Sequence, residues 1–220
     1  MKFRAILKLM VLTSVAIVIN PSWAEEDQAV TVDGLRLLKD SNLALVYAEP
    51  GVDLSQYKRI YLSDAYIAFK KHWRRTQNNI HSDNVSVKDM EKIRVELSSL
   101  FRDVFSKTLE DGGYQLVTEH DEDVLLIKPA IINLDIIAPD TRSATHVTSF
   151  TQSAGEMTLY LELYDSMTGD LIAKALDRQE DRQTGYFQWQ NRVSNRAAAN
   201  RILQVWANVL KQGLDQGQSP

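Results

Sequence analysis

The sharpest run of chemistry-bearing residues is Lys70-Lys71-His72-Trp73-Arg74-Arg75. Four fixed positive charges surround an indole in a chain that is acidic overall. It carries 25 Lys and Arg against 29 Asp and Glu, a net charge of −4 and a pI near 5.6. Such a segment suits an anionic partner: phosphate-bearing lipid headgroups, an anionic glycan or an acidic protein, with Trp73 as an interfacial anchor. The competing reading is a solvated strand end whose Trp73 packs on the core. Lys70, Lys71, Trp73, Arg74 and Arg75 are therefore the candidate partner-binding residues.

Other constellations are weaker. The histidines, His72, His81, His120 and His146, show no ligand spacing such as i, i+4. Glu119-His120-Asp121-Glu122-Asp123 carries oxygen and nitrogen donors but reads first as a solvated turn before a strand. There is no G-x-S-x-G elbow, P-loop or dinucleotide fingerprint, and Ser143, Ser149 and Ser153 sit in a polar Ser/Thr tract. Glu162 with a cross-strand Asp would be a carboxylate pair of the glycosidase type only at a defined separation. No catalytic residue, metal or cofactor is expected. The pI argues against nucleic acid. The absence of cysteine excludes a disulfide framework, thiolate ligands, a cysteine nucleophile and a lipidated cysteine.

The elements that must position these residues follow from periodicity. Leu43 to Tyr47 reads as a short strand ended by Pro50-Gly51, and Arg59-Ile60-Tyr61-Leu62 begins one running on toward Phe69. Arg74 to Asn84 reads as a polar loop. Ser86 and Asp89 form a capping box before a stripe at Met90, Ile93, Leu97, Leu100, Phe101, Val104, Phe105 and Leu109, which Gly112-Gly113 ends. Burying those eight side chains, at about 1.5–3 kcal/mol each before entropy, makes this helix a main core element. Val124 to Ile137 is a strand whose phase changes around Pro129, which predicts a bulge and an edge position. From Gly155 to Asp165, Met157, Leu159, Leu161 and Leu163 face one way; Glu156, Thr158, Tyr160, Glu162 and Tyr164 face the wetter way. Asp165 to Asp170 is a hairpin turn with Gly169 in the left-handed position, and Leu171 to Asp177 returns. Tyr186, Phe187 and Trp189 cluster before a final helix over Ser194 to Asp215. The expected fold is α+β, a mainly antiparallel sheet with two long amphipathic helices packed on one face.

Residues 1–24 read as a cleavable signal peptide. Lys2, Arg4 and Lys8 precede an apolar run of eleven from Leu9 to Ile19, and Ser22-Trp23-Ala24 supplies small residues at −3 and −1. Cleavage leaves 22 Lys and Arg against 29 Asp and Glu, a net of −7. A single domain over 25–216, a mobile tail over 217–220 and a periplasmic location are the expectations.

The order of the pieces resembles a known family. Tyr57-Lys58-Arg59-Ile60, Phe69 with Trp73, Gly112-Gly113-Tyr114 and Asp123-Val124-Leu125 come in sequence. Leu161-Glu162-Leu163-Tyr164-Asp165-Ser166-Met167-Thr168-Gly169-Asp170, then Ala175 and Asp177-Arg178, complete it. Together they are similar to the bacterial envelope family catalogued as domain of unknown function 3313, over roughly residues 30–215. The resemblance implies an envelope protein and transfers no catalytic residues. Many members look like lipoproteins with a lipid-modified cysteine, a route closed to this chain.

The leading expectation is thus a secreted, periplasmic, non-catalytic module that binds another envelope component, without nucleic acid and without a membrane span in the mature chain. The competing expectations are a hydrolase with an unrecognised site and a carrier of a small apolar ligand.

Overall fold

A computed structural model describes residues 30–80, 84–136, 149–151, 153–182, 188–190 and 192–218. The leader, His81, His146 and most of the 140–154 tract lie outside the described residues. The elements are β1 (Arg36–Leu37), β2 (Leu45–Ala48), β3 (Arg59–Leu62), β4 (Tyr66–Phe69), α1 (Trp73–Ile80), α2 (Val87–Asp111), β5 (Gln115–Leu116) and β6 (Val124–Ile136). They continue with β7 (Ser149–Thr151), β8 (Ser153–Asp165), β9 (Leu171–Arg182), β10 (Gln188–Gln190) and α3 (Arg192–Gly217).

The fold is α+β, but its sheet is mixed rather than mainly antiparallel. Eight strands lie in the order β1-β2-β9-β8-β6-β3-β5, with β4 also on β6. The β2, β9, β8 and β6 neighbours are antiparallel, while β3 pairs parallel with β5 and β6, and β4 parallel with β6. The parallel part has a topological cause. The chain leaves β3 and β4, runs through α1 and α2, and re-enters the sheet at β5 and β6, a crossover that returns a strand in the same direction. A third helix, α1, also joins the two long ones.

The capping box at Ser86 forms as the spacing requires. The Asp89 N–H donates to Ser86 Oγ at 3.1 Å, and the Ser86 N–H donates to Asp89 Oδ2 at 2.9 Å. The stripe from Leu97 to Leu109 is buried, and Phe101 and Phe105 stack with centroids 3.8 Å apart. Helices α2 and α3 share one core with the sheet, joining Phe101, Phe105 and Leu203 to Ile60, Ile127, Leu159 and Leu161. The last turn of α3 is docked, because the Leu54 N–H donates to the Gly217 carbonyl at 3.0 Å.

Two strand expectations change. Pro129 is buried in β6, a strand with neighbours on both sides, rather than at an edge. It is tolerated because β3 pairs only as far as Ile127 and β4 starts opposite Ala130, so Pro129 lies in a gap where no ladder N–H is needed. The change of phase comes later, at a register shift between Ile132 and Asp135, with Asn133 at φ 53°. Opposite it, Gly155 has φ 137°, and a Cβ there would lie 2.1 Å from the Asp135 carbonyl oxygen. Only glycine allows that approach.

One buried charge ties the layers together. Asp177 on β9 is 5% exposed. Its carboxylate accepts from Trp206 Nε1 of α3 at 2.7 Å, Gln179 Nε2 at 2.8 Å and the Ala44 N–H at 3.1 Å. Trp206→Phe keeps most of the ring and removes one donor from a buried carboxylate. The expected loss is about 1–3 kcal/mol, read as a lower midpoint in urea denaturation; an unchanged midpoint would show that the bond is not used.

Candidate functional site

The cationic segment begins where β4 leaves the sheet. The Lys70 N–H donates to the Leu134 carbonyl at 3.0 Å, and His72, at φ 63°, turns the chain into α1. The polar run after Trp73 is therefore a helix over its first part, not a loop. Its inward face is short, with Trp73 and Gln77 one turn apart and both buried. Trp73 is 3% exposed, stacks on Phe69 at 4.3 Å and donates its indole N–H to the Ile136 carbonyl at 3.1 Å. The other end is held by Asn78, whose Oδ1 accepts from the Val85 N–H at 2.7 Å and whose Nδ2 donates to the Val85 carbonyl at 3.3 Å.

The segment therefore divides. Trp73 faces the core and is unavailable as an interfacial anchor. Lys70 turns to the sheet, with Nζ 2.8 Å from Asp135 and 3.4 Å from Glu156, which also pairs with Arg178. Asp135, and secondarily Glu156, hold the Lys70 ammonium above its ordinary range. Arg178, then Lys70, holds the Glu156 carboxyl below its own. Lys71, Arg74 and Arg75 are exposed, and none has an ion-pair partner among the described residues. The first turn of α1 contains no acidic residue. Two arginines thus stand at the positive end of the helix dipole, where cations are disfavoured. Arg94 of α2 adds a further cation nearby, 5.4 Å over the Phe69 ring and 3.1 Å from Glu91.

A second cluster occupies the sheet face away from the long helices. In register, Lys128, Glu162 and Lys174 lie side by side on β6, β8 and β9. Glu162 pairs with neither lysine in this arrangement. Its Oε1 accepts from the Tyr160 hydroxyl at 2.6 Å and its Oε2 from the Tyr164 hydroxyl at 2.8 Å. Lys128 Nζ sits 4.3 Å over the Tyr164 ring, and Lys174 Nζ reaches Asp33 at 2.6 Å. Burial, reinforced by the Glu162 charge, pushes the Tyr164 phenol up to about 12 and raises Tyr160 likewise.

The remaining candidates are engaged elsewhere. Asp121 and Asp123 bind the Arg59 guanidinium, which holds both carboxyls below their usual range. The His120 ring lies 5.2 Å from Tyr61. Among the described residues no group of three or more His, Asp or Glu is arranged to hold a metal. Nor is any described helix long and apolar enough to cross a membrane. The trio Lys71, Arg74 and Arg75 was visible in the sequence. Its supports at Ile136, Asp135, Glu156 and Arg178 depend on strand register, which carries no local sequence signal.

An α+β domain with a mixed sheet and a cationic helix beside it is thus the class defined here. The family model described as "Protein of unknown function (DUF3313)" matches residues 32–210, and the chain belongs to that family. No curated protein matches it. Solved structures similar to it include the PelC dodecamer from Paraburkholderia phytofirmans, at 10% identity and TM-score 0.38, covering 76% of this chain and 96% of that one. A minor lipoprotein from Acinetobacter baumannii matches at 11% identity and TM-score 0.32, covering 71% and 94%. A PDZ domain protein from Parabacteroides distasonis matches at 9% identity and TM-score 0.37, covering 73% and 33%.

The tyrosine cluster gives a pH signature. A phenol whose folded pKa is raised keeps its proton after the unfolded chain has lost it. The stabilisation from Tyr164 is therefore complete below the unfolded value of about 10 and is lost as pH climbs toward 12, and that from Tyr160 is lost at still higher pH. Glu162→Gln removes the charge behind part of the shift. Ultraviolet titration of phenolate should then show these two groups ionising at lower pH. An identical titration curve would remove Glu162 as a cause.

Proposed function

We propose that this protein is a secreted, periplasmic, non-catalytic module that binds an anionic component of the bacterial envelope through α1. The observation that carries the reading is the exposed trio Lys71, Arg74 and Arg75, on a helix fixed from beneath by Trp73 and Asn78. A helix already held in place adds no backbone ordering to the cost of meeting an anion; only the three side chains are ordered. The signal peptide read over residues 1–24 supports the compartment, and family membership supports the envelope.

The buried and half-buried carboxylates weigh against acid–base catalysis on the sheet. Both oxygens of Glu162 accept from phenols, and Glu156 pairs with Arg178 and Lys70. Asp165 accepts from Tyr57 and from the backbone of its own turn at Met167 and Thr168. Asp177 accepts from Trp206, Gln179 and Ala44. At Glu156 and Asp165 these partners hold the carboxyl below its ordinary range, whereas a general acid at neutral pH needs the opposite bias.

The test is cross-linked capture of the tagged mature protein from intact envelope, beside a variant with Lys71→Gln, Arg74→Gln and Arg75→Gln. Capture of a reproducible component, lost in the variant while its melting temperature stays within about 2 °C, is the expected result. Equal capture by both proteins would overturn the assignment to α1.

A further inference from the structure

We infer that the anionic component is a lipid surface, and that the headgroup phosphates are what Lys71, Arg74 and Arg75 engage. The inference rests on the reading of α1 as the binding element and names its partner.

The chemistry of the patch separates a lipid surface from a protein. Stable protein interfaces draw most of their energy from a dry centre, usually built around an aromatic anchor in a pocket. Among the described residues of α1, no such anchor is on display. Trp73 is 3% exposed, and Phe69 is half-buried between that indole and the Arg94 guanidinium. The exposed residues of α1 beside the arginines are Thr76 and Asn79, which are polar. The described exposed residues of α1 therefore present charge without an apolar wedge. Insertion among acyl chains requires an apolar helix face, which these residues do not supply.

A layer of lipid phosphates asks for nothing more. Cations within a Debye length of an anionic bilayer are attracted one by one, without a shaped pocket. Among the described residues, the carboxylates that pair beside the patch are already engaged. Asp135 and Glu156 are paired with Lys70 and Arg178, and Glu91 with Arg94. The body of the protein is acidic, with a net of −7 after removal of residues 1–24. An anionic surface would repel most of that body and accept this pole, so the molecule would dock in one orientation on the headgroups.

The expected strength is modest. Three cations near an anionic surface shift partitioning by on the order of a hundredfold. The experiment is co-sedimentation of the full mature protein with vesicles in about 0.1 M salt. One set mixes phosphatidylglycerol with phosphatidylcholine; the other is phosphatidylcholine alone. Binding to the anionic set only, lost at about 1 M salt and in the Lys71→Gln, Arg74→Gln, Arg75→Gln variant, is the expected result. A charge-matched control, Lys58→Gln with Lys107→Gln and Arg196→Gln, should keep most of the binding, because those exposed cations lie outside α1.

Equal binding to both vesicle sets, no binding to the anionic set, or equal loss in the two variants would each overturn the inference. Its failure is distinguishable from failure of the binding-module reading. If the wild type ignores anionic vesicles yet α1-dependent capture of an envelope protein persists, the lipid is wrong and the module reading stands. If both experiments are negative, both fall.

Discussion

The Asp177 carboxylate is the constraint around which the rest is arranged. A charge that is 5% exposed is tolerated only when its oxygens are filled. Its donors come from three separate places: the indole of α3, a side chain of its own strand and the backbone before β2. Close packing of Leu203, Trp206 and Ala207, all fully buried, already resists sliding of α3 along the sheet. The directional bond from Trp206 adds to that packing and fixes one register of α3, and α2 is tied to it through Thr108, whose hydroxyl accepts from Gln204 Nε2 at 2.9 Å.

A similar device fixes the cationic helix at smaller scale. Trp73 is buried with its one polar atom bonded to the Ile136 carbonyl, at the end of β6, the parallel partner of β4. An eight-residue helix has little stability of its own in water. The indole, the Phe69 stack and the Asn78 clamp hold it in place. The tryptophan thus serves the charged face by staying away from it, which lets one short segment carry both core and surface roles.

Much of this was legible in the amino-acid order. The α2 stripe, its capping box and the Asp165–Asp170 hairpin are local patterns, and each formed, with Gly113 at φ 91° and Gly169 at φ 76° at the two chain reversals. The α1 helix was hidden because its inward face carries a buried glutamine, Gln77, one turn after Trp73, where a hydrophobic period needs an apolar residue. The parallel pairing was legible in principle: strand, long helix, strand is the order of a crossover, and β3 and β6 bracket α2 in that way. Pro129 misled because proline marks an edge only when a ladder N–H is required, and the break between β3 and β4 removes that requirement. The Tyr160–Glu162–Tyr164 row was visible as the wetter face of its strand. That its carboxylate would turn to phenols rather than to Lys128 and Lys174 depends on side-chain geometry, which spacing does not encode.

The central claim is that one face of α1 meets the envelope while the core beneath it stays intact. The most direct measurement is photo-cross-linking in living cells from a reactive residue placed at Thr76, which is exposed beside the arginines, compared with one at Val205, 53% exposed on α3. The account predicts adducts to an envelope component from position 76 and few from position 205, with the position-76 adducts lost when Lys71, Arg74 and Arg75 are neutralised. Equal labelling from both positions, or labelling from 76 that survives neutralisation, would contradict it.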